Sequence, residues 1–90
     1  MSVKVNVHPY LFHLTNNKDV IEVDGTTVYE CLKALVKQFP DIGQVFFDEN
    51  GKFTDEVNIF VNFYNIYPEE LSQVLKDGDE LHIMPTIMGG

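Results

Sequence analysis

Asp77-Gly78-Asp79-Glu80-Leu81-His82-Ile83-Met84-Pro85-Thr86-Ile87-Met88-Gly89-Gly90 closes the chain, and its reading decides the fold. Asp77-Gly78-Asp79 is a tight-turn combination, in which glycine supplies backbone freedom and aspartate bonds nearby amides. Glu80 to Met84 then alternates, with Leu81 and Ile83 on one side and His82 and Met84 on the other. That is the period of a strand buried on one face. Beyond it only Pro85, Thr86, Ile87, Met88, Gly89 and Gly90 remain, so residues 1–84 read as a domain and residues 85–90 as a tail.

Working back, Val57 to Val61 has the same strand character. Val57, Ile59 and Val61 share one face, and Asn58, Phe60 and Asn62 the other. If this strand lies beside Glu80–Met84, then Phe60, His82 and Met84 form an apolar patch next to the tail, the kind of exposed surface that marks a partner site. The competing expectation is that Tyr64 or the irregular segment covers Phe60. Residues 63–76 hold a short strand or turn and a single helical turn. Residues 41–56 are the least regular stretch: Phe46-Phe47 docks on the core, and Asp48-Glu49-Asn50-Gly51 is a turn signal.

The first half supplies the rest of the fold. Val3, Val5 and Val7 alternate with Lys4, Asn6 and His8. Pro9 interrupts this strand, Tyr10 to Leu14 resumes it loosely, and Asn16-Asn17-Lys18-Asp19 turns the chain into a second strand, Val20 to Val23. Thr27 and Glu30 make a capping box in which each side chain satisfies the other's free amide. Val28, Cys31, Leu32, Leu35, Val36 and Phe39 follow at helical spacing, which predicts a helix over 28–38 ended by Pro40. A hairpin, one helix and a further strand pair give an α+β fold with the helix laid across a mixed sheet.

Composition bounds the function. Ninety residues make one domain, and 44% apolar content with seven Phe and four Tyr is ample for one core. Six basic against fourteen acidic residues give a net charge of −8, which disfavours nucleic acid and anionic membrane surfaces and suits either solubility or steering toward a basic partner. The alternation from Val3 onward is unlike a signal peptide and no apolar run approaches a membrane span, so cytoplasmic residence is expected. A single cysteine excludes an internal disulfide, a CxxC pair and a four-cysteine iron–sulfur site, and with the last of these a ferredoxin.

Three pieces in this order carry a family likeness: Val57-Asn58-Ile59-Phe60-Val61-Asn62, Asp77-Gly78-Asp79-Glu80-Leu81, and a Pro followed by a terminal Gly89-Gly90. Together they resemble the β-grasp sulfur carriers, relatives of ubiquitin that include the small subunit of molybdopterin synthase and the thiamine sulfur carrier. The long first hairpin with Pro9, Leu11 and Thr15, and the long segment after the helix, look more like the carrier that feeds cysteine synthesis. Phe63-Tyr64-Asn65 departs from the charged or small turn residues that relatives more often have.

The resemblance implies a β-grasp fold and a cosubstrate in place of an enzyme. A partner enzyme would use ATP to adenylate the Gly90 carboxylate, and a sulfur donor would convert it to a thiocarboxylate. That thiocarboxylate would then deliver sulfur to a biosynthetic acceptor enzyme of cysteine or homocysteine, molybdopterin or thiamine type. The chain itself would bind no cofactor. As it stands, the tail is expected to be ready for activation without trimming. The rival readings are a protein modifier joined through Gly90 to lysines and a β-grasp interaction domain whose tail does nothing.

Glycines 89 and 90 lack Cβ atoms, so the backbone fits a narrow channel. Six residues past the strand reach roughly 20 Å at about 3.3 Å each. Ile87 and Met88 are expected to anchor the tail in that channel, and Thr86 offers a hydrogen-bond donor. Cys31, on the apolar helix stripe, reads as a buried inert thiol. His8, His13 and His82 match no zinc spacing, and the Asp77, Asp79, Glu80 cluster is explained by its turn, so no metal site is expected.

Overall fold

A computed structural model describes residues 2–86. Strand β1 (Ser2–Val7) pairs antiparallel with β2 (Val20–Asp24), with Val3 opposite Val23 and Val5 opposite Ile21. The alternation thus places every valine of β1 inward, as its period requires. Between the strands the expected resumption of extended chain is corrected, because Pro9–Leu14 is a 3-10 helix. Pro9 presets the φ of a first helical position, and His8 Nδ1 accepts from the Tyr10 N–H at 3.1 Å. Leu11 is the residue this helix buries. Asn16 and Asn17 complete the turn at φ +53° and +64°, left-handed values that asparagine tolerates better than most residues.

Helix α1 covers Val28–Gln38, the predicted span, and buries Val28, Cys31, Leu32 and Leu35. Thr27 Oγ1 accepts from the Glu30 N–H at 3.1 Å, which is half of the capping box. The other half is displaced by one residue: the Glu30 carboxylate accepts from both the N–H and the hydroxyl of Thr26, each at 2.8 Å. The helix amides of Val28 and Tyr29 donate instead to the Gln73 and Leu71 carbonyls, so a distant connection caps this end. Gly25 makes the close approach possible, since a Cβ there would lie 2.8 Å from Cys31 Sγ and 3.0 Å from the Cys31 nitrogen.

After α1 the chain makes a 3-10 turn (Pro40–Ile42) and a short helix α2 (Gly43–Phe46), which bury Ile42 and Phe46. Phe47 then bridges to Phe53 across the Asp48–Gly51 turn. Strands β3 (Val57–Val61), β4 (Tyr64–Ile66) and β5 (Glu80–Pro85) complete one mixed sheet in the order β2-β1-β5-β3-β4. A single 3-10 turn, Pro68–Glu70, lies between β4 and β5. The β1–β5 pair is parallel and the others are antiparallel. Val3, Val5, Val7, Ile59, Val61, Leu81 and Ile83 form the inner face, packed with the buried stripe of α1, Phe46 and Leu75 in one core. This is the β-grasp arrangement. The last strand extends one residue past Met84 to include Pro85, because Pro85 pairs with Val57 at the end of the β3–β5 ladder.

Candidate functional site

The site is organised by β5, which lies at the centre of the sheet with β1 on one side and β3 on the other. Its inward residues are fixed by the core, so its outward residues are fixed as well. Phe60 stands directly across from His82, and Asn58 across from Met84. The structure therefore brings Phe60, His82 and Met84 together on the outer face. Phe60 and His82 are half-buried and Met84 is exposed.

The residue that completes this patch is Phe63, not Tyr64. Asn62 turns the chain at φ +56°, and the Phe63 ring folds back to lie nearly parallel to His82, with centroids 6.2 Å apart. Phe63 remains 89% exposed, a large apolar surface left in water. Phe60, Phe63, His82 and Met84 line a shallow depression of about 240 Å³ with Asn62 at its edge. Tyr64 points elsewhere and is also exposed. In the sequence Phe63 stands out only as an unusual turn residue. Its aromatic character at a turn was the available signal.

The turn that opens β5 is held by carboxylate hydrogen bonds. Asp79 accepts from the Lys76 N–H at 2.8 Å and from Asn62 Nδ2 at 3.2 Å, and these partners hold its carboxyl below the usual value. Asn62 in turn accepts from the Glu80 N–H at 3.1 Å and donates its own N–H to the Glu80 carbonyl at 2.7 Å. Gly78 sits at φ +92°, a left-handed value that glycine adopts without strain. Glu80 accepts from Asn6 at 3.1 Å and lies 3.7 Å from His82 Nε2, so it ties the patch to β1. Asp79 and Glu80 are accounted for by this turn and its neighbours, and Asp77 is exposed.

At the other end of β5 the chain reaches the root of the tail. Pro85 is buried and Thr86 exposed. Thr86 donates its N–H to the Glu56 carbonyl at 3.0 Å and its hydroxyl to the Asp55 carbonyl at 2.8 Å. A groove of about 390 Å³ opens beside it, with Tyr10, Leu11, Val45 and Val57 in its walls. Ile87, Met88, Gly89 and Gly90, the residues expected to anchor and to carry the chemistry, lie outside the described residues.

Cys31 is fully buried, and burial pushes its thiol up to about 11, so the reactive thiolate is scarce near neutral pH. Its place is in the core, as the helix stripe predicts. His8 is engaged by the Tyr10 amide, and among the described residues no three His, Cys, Asp or Glu side chains converge as a metal site requires. No described helix is long and apolar enough to cross a membrane.

The ThiS family model matches residues 3–90. No curated protein matches the chain. Among solved structures, the chain is similar to SAMP1 from Haloferax volcanii at 26% identity, with all of both chains covered and a TM-score of 0.86. It is similar to a chain of the Amycolatopsis orientalis BexX/CysO complex at 28% identity, covering 98% of this chain and 99% of that one, with a TM-score of 0.85. CysO of Mycobacterium tuberculosis matches at 26% identity over 92% of this chain and 97% of that one, with a TM-score of 0.80.

Proposed function

The chain belongs to the ThiS family of small ubiquitin-like carriers, which act with partner enzymes and are not enzymes themselves, and on that premise we propose that Gly90 carries sulfur as a thiocarboxylate. A carboxylate resists attack by sulfide because its carbon is resonance-stabilised and hydroxide leaves poorly. An adenylating partner would join the Gly90 carboxylate to the α-phosphate of ATP and release pyrophosphate. Sulfide, as the sulfur donor, would then attack the acyl carbon, displace AMP and lose its proton to leave the thiocarboxylate, which a biosynthetic acceptor enzyme of cysteine or homocysteine, molybdopterin or thiamine type would consume. The chain supplies the carboxylate and the docking surface, and the partner supplies the catalytic groups. ATP is a cosubstrate of the partner.

The observation that carries this reading is the family match across residues 3–90, which runs through Gly89-Gly90. The outer-face patch of Phe60, Phe63, His82 and Met84 is the proposed contact for the adenylating enzyme. Pro85, Thr86, Ile87 and Met88 would lead the chain from that body into the partner, and the acidic balance would favour a basic surface there. Glycine at both terminal positions would let the backbone pass where a Cβ would collide.

Likeness to SAMP1, a small archaeal modifier protein, supports a second reading in which the same adenylate passes Gly90 to a lysine of a target protein. Both begin with activation at Gly90. Carrier-dependent exchange of pyrophosphate into ATP by the adenylating enzyme tests that shared step. Gly90→Ala is expected to depress exchange at least tenfold while its thermal unfolding matches the wild type. Unchanged exchange kinetics in Gly90→Ala would remove the threading argument.

A further inference from the structure

The chain is tied down one residue beyond its last strand. Thr86 makes two hydrogen bonds to consecutive carbonyls, its N–H to Glu56 and its hydroxyl to Asp55. Two bonds from one residue fix both its position and the direction in which the chain leaves the sheet. The acceptor segment is itself held, because the Glu56 N–H donates to Thr54 Oγ1 at 3.3 Å and the Thr54 N–H donates to the Phe46 carbonyl at 2.7 Å. The Thr54 hydroxyl also donates to the Val45 carbonyl. Phe46 is fully buried, so the connection runs from the root of the tail into the core.

We infer that Thr86 is a positioning residue, a clamp that fixes the root of the tail for insertion into the adenylating partner. The inference rests on the carrier reading and deepens it by limiting the partner's geometry. From the clamp to Gly90 is four residues, which span at most about 13 Å at about 3.3 Å each, against roughly 20 Å for the six from Pro85 to Gly90. The site that activates Gly90 therefore lies within about 13 Å of the partner surface meeting the Pro85–Thr86 end. A fixed root also removes backbone freedom that binding would otherwise have to remove.

The test pairs a measurement on the free protein with one on the reaction, for wild type, Thr86→Val and Thr86→Ser. In the free wild type the Thr86 amide is protected from hydrogen exchange, and in Thr86→Val it exchanges faster. In carrier-dependent ATP–pyrophosphate exchange by the adenylating enzyme of the same organism, Thr86→Val raises the KM for the carrier about three- to tenfold, the range that one hydrogen bond supports. The kcat is unchanged, and Thr86→Ser restores the wild-type KM. An unprotected Thr86 amide in the wild type overturns the clamp without reference to any enzyme. An unchanged KM in Thr86→Val, a fall in kcat in its place, or equal loss in Thr86→Ser overturns the positioning role and leaves the carrier reading standing. No exchange with the wild-type carrier overturns the carrier reading, and this inference with it.

Discussion

Asp79 joins three parts of the chain through two oxygen atoms, holding the Lys76 amide with one and the Asn62 side chain with the other. Because these bonds favour the charged form, its folded-state carboxyl lies below the ordinary 3.8. The unfolded chain then binds the proton more readily, so this contribution to stability is complete above 3.8 and is lost as pH falls through the lowered value. The stability gap between wild type and Asp79→Asn should be constant near neutrality and close in acid, as read by thermal unfolding across that range. A gap that widens in acid would contradict the sign. Gly25 makes a second residue-level demand. A Cβ would press on Cys31 Sγ at 2.8 Å and on the Cys31 nitrogen at 3.0 Å, and a backbone atom yields little. Gly25→Ala should cost about 1–3 kcal/mol in denaturant unfolding. The turn role of Asp77-Gly78-Asp79 was legible in the sequence because turn chemistry is local. The Gly25 contact was not, because it depends on how closely the preceding strand approaches the helix.

At the scale of elements, α1 was legible to the residue because its signals are all local: a threonine cap, a repeating apolar stripe and a closing proline. Its capping box came out displaced because the Glu30 carboxylate takes the amide and hydroxyl of Thr26, and the Leu71 and Gln73 carbonyls take two further helix amides, a tertiary contact that no local pattern encodes. Pro9–Leu14 misread as loosely extended chain because six residues hold too few turns to show helical period. For β3 and β5 the alternation was plain, and their pairing converts it into the patch of Phe60, His82 and Met84. Phe63 joins them only through the turn at Asn62, which is why its role was hidden. Phe60→Asp should weaken binding to the adenylating enzyme at least tenfold in a titration while leaving circular dichroism unchanged. Phe63→Ser should weaken it less, since that ring is open to water on most of its surface. Intact binding in Phe60→Asp would remove the outer face from the proposed contact.

Among the described residues the strands form a single sheet, whose central strand β5 pairs with β1 from the opposite end of the chain. Pairing of that kind is set by the global fold, so the α+β class was legible from the elements while the strand order was not. The same pairing places the root of the tail at the end of the best-supported strand, beside the start of β3. Net charge acts at this scale too. At −8 the carrier should associate with a basic partner more slowly as salt rises, with little change in dissociation, as stopped-flow measurements would show. Intact mass spectrometry tests most directly whether the Gly90 carboxylate carries sulfur. After incubation with ATP, sulfide and the adenylating enzyme, the protein should gain the mass of one sulfur replacing one oxygen, localised to Gly90. An unchanged mass, with an enzyme shown to activate its own known carrier, would contradict the account.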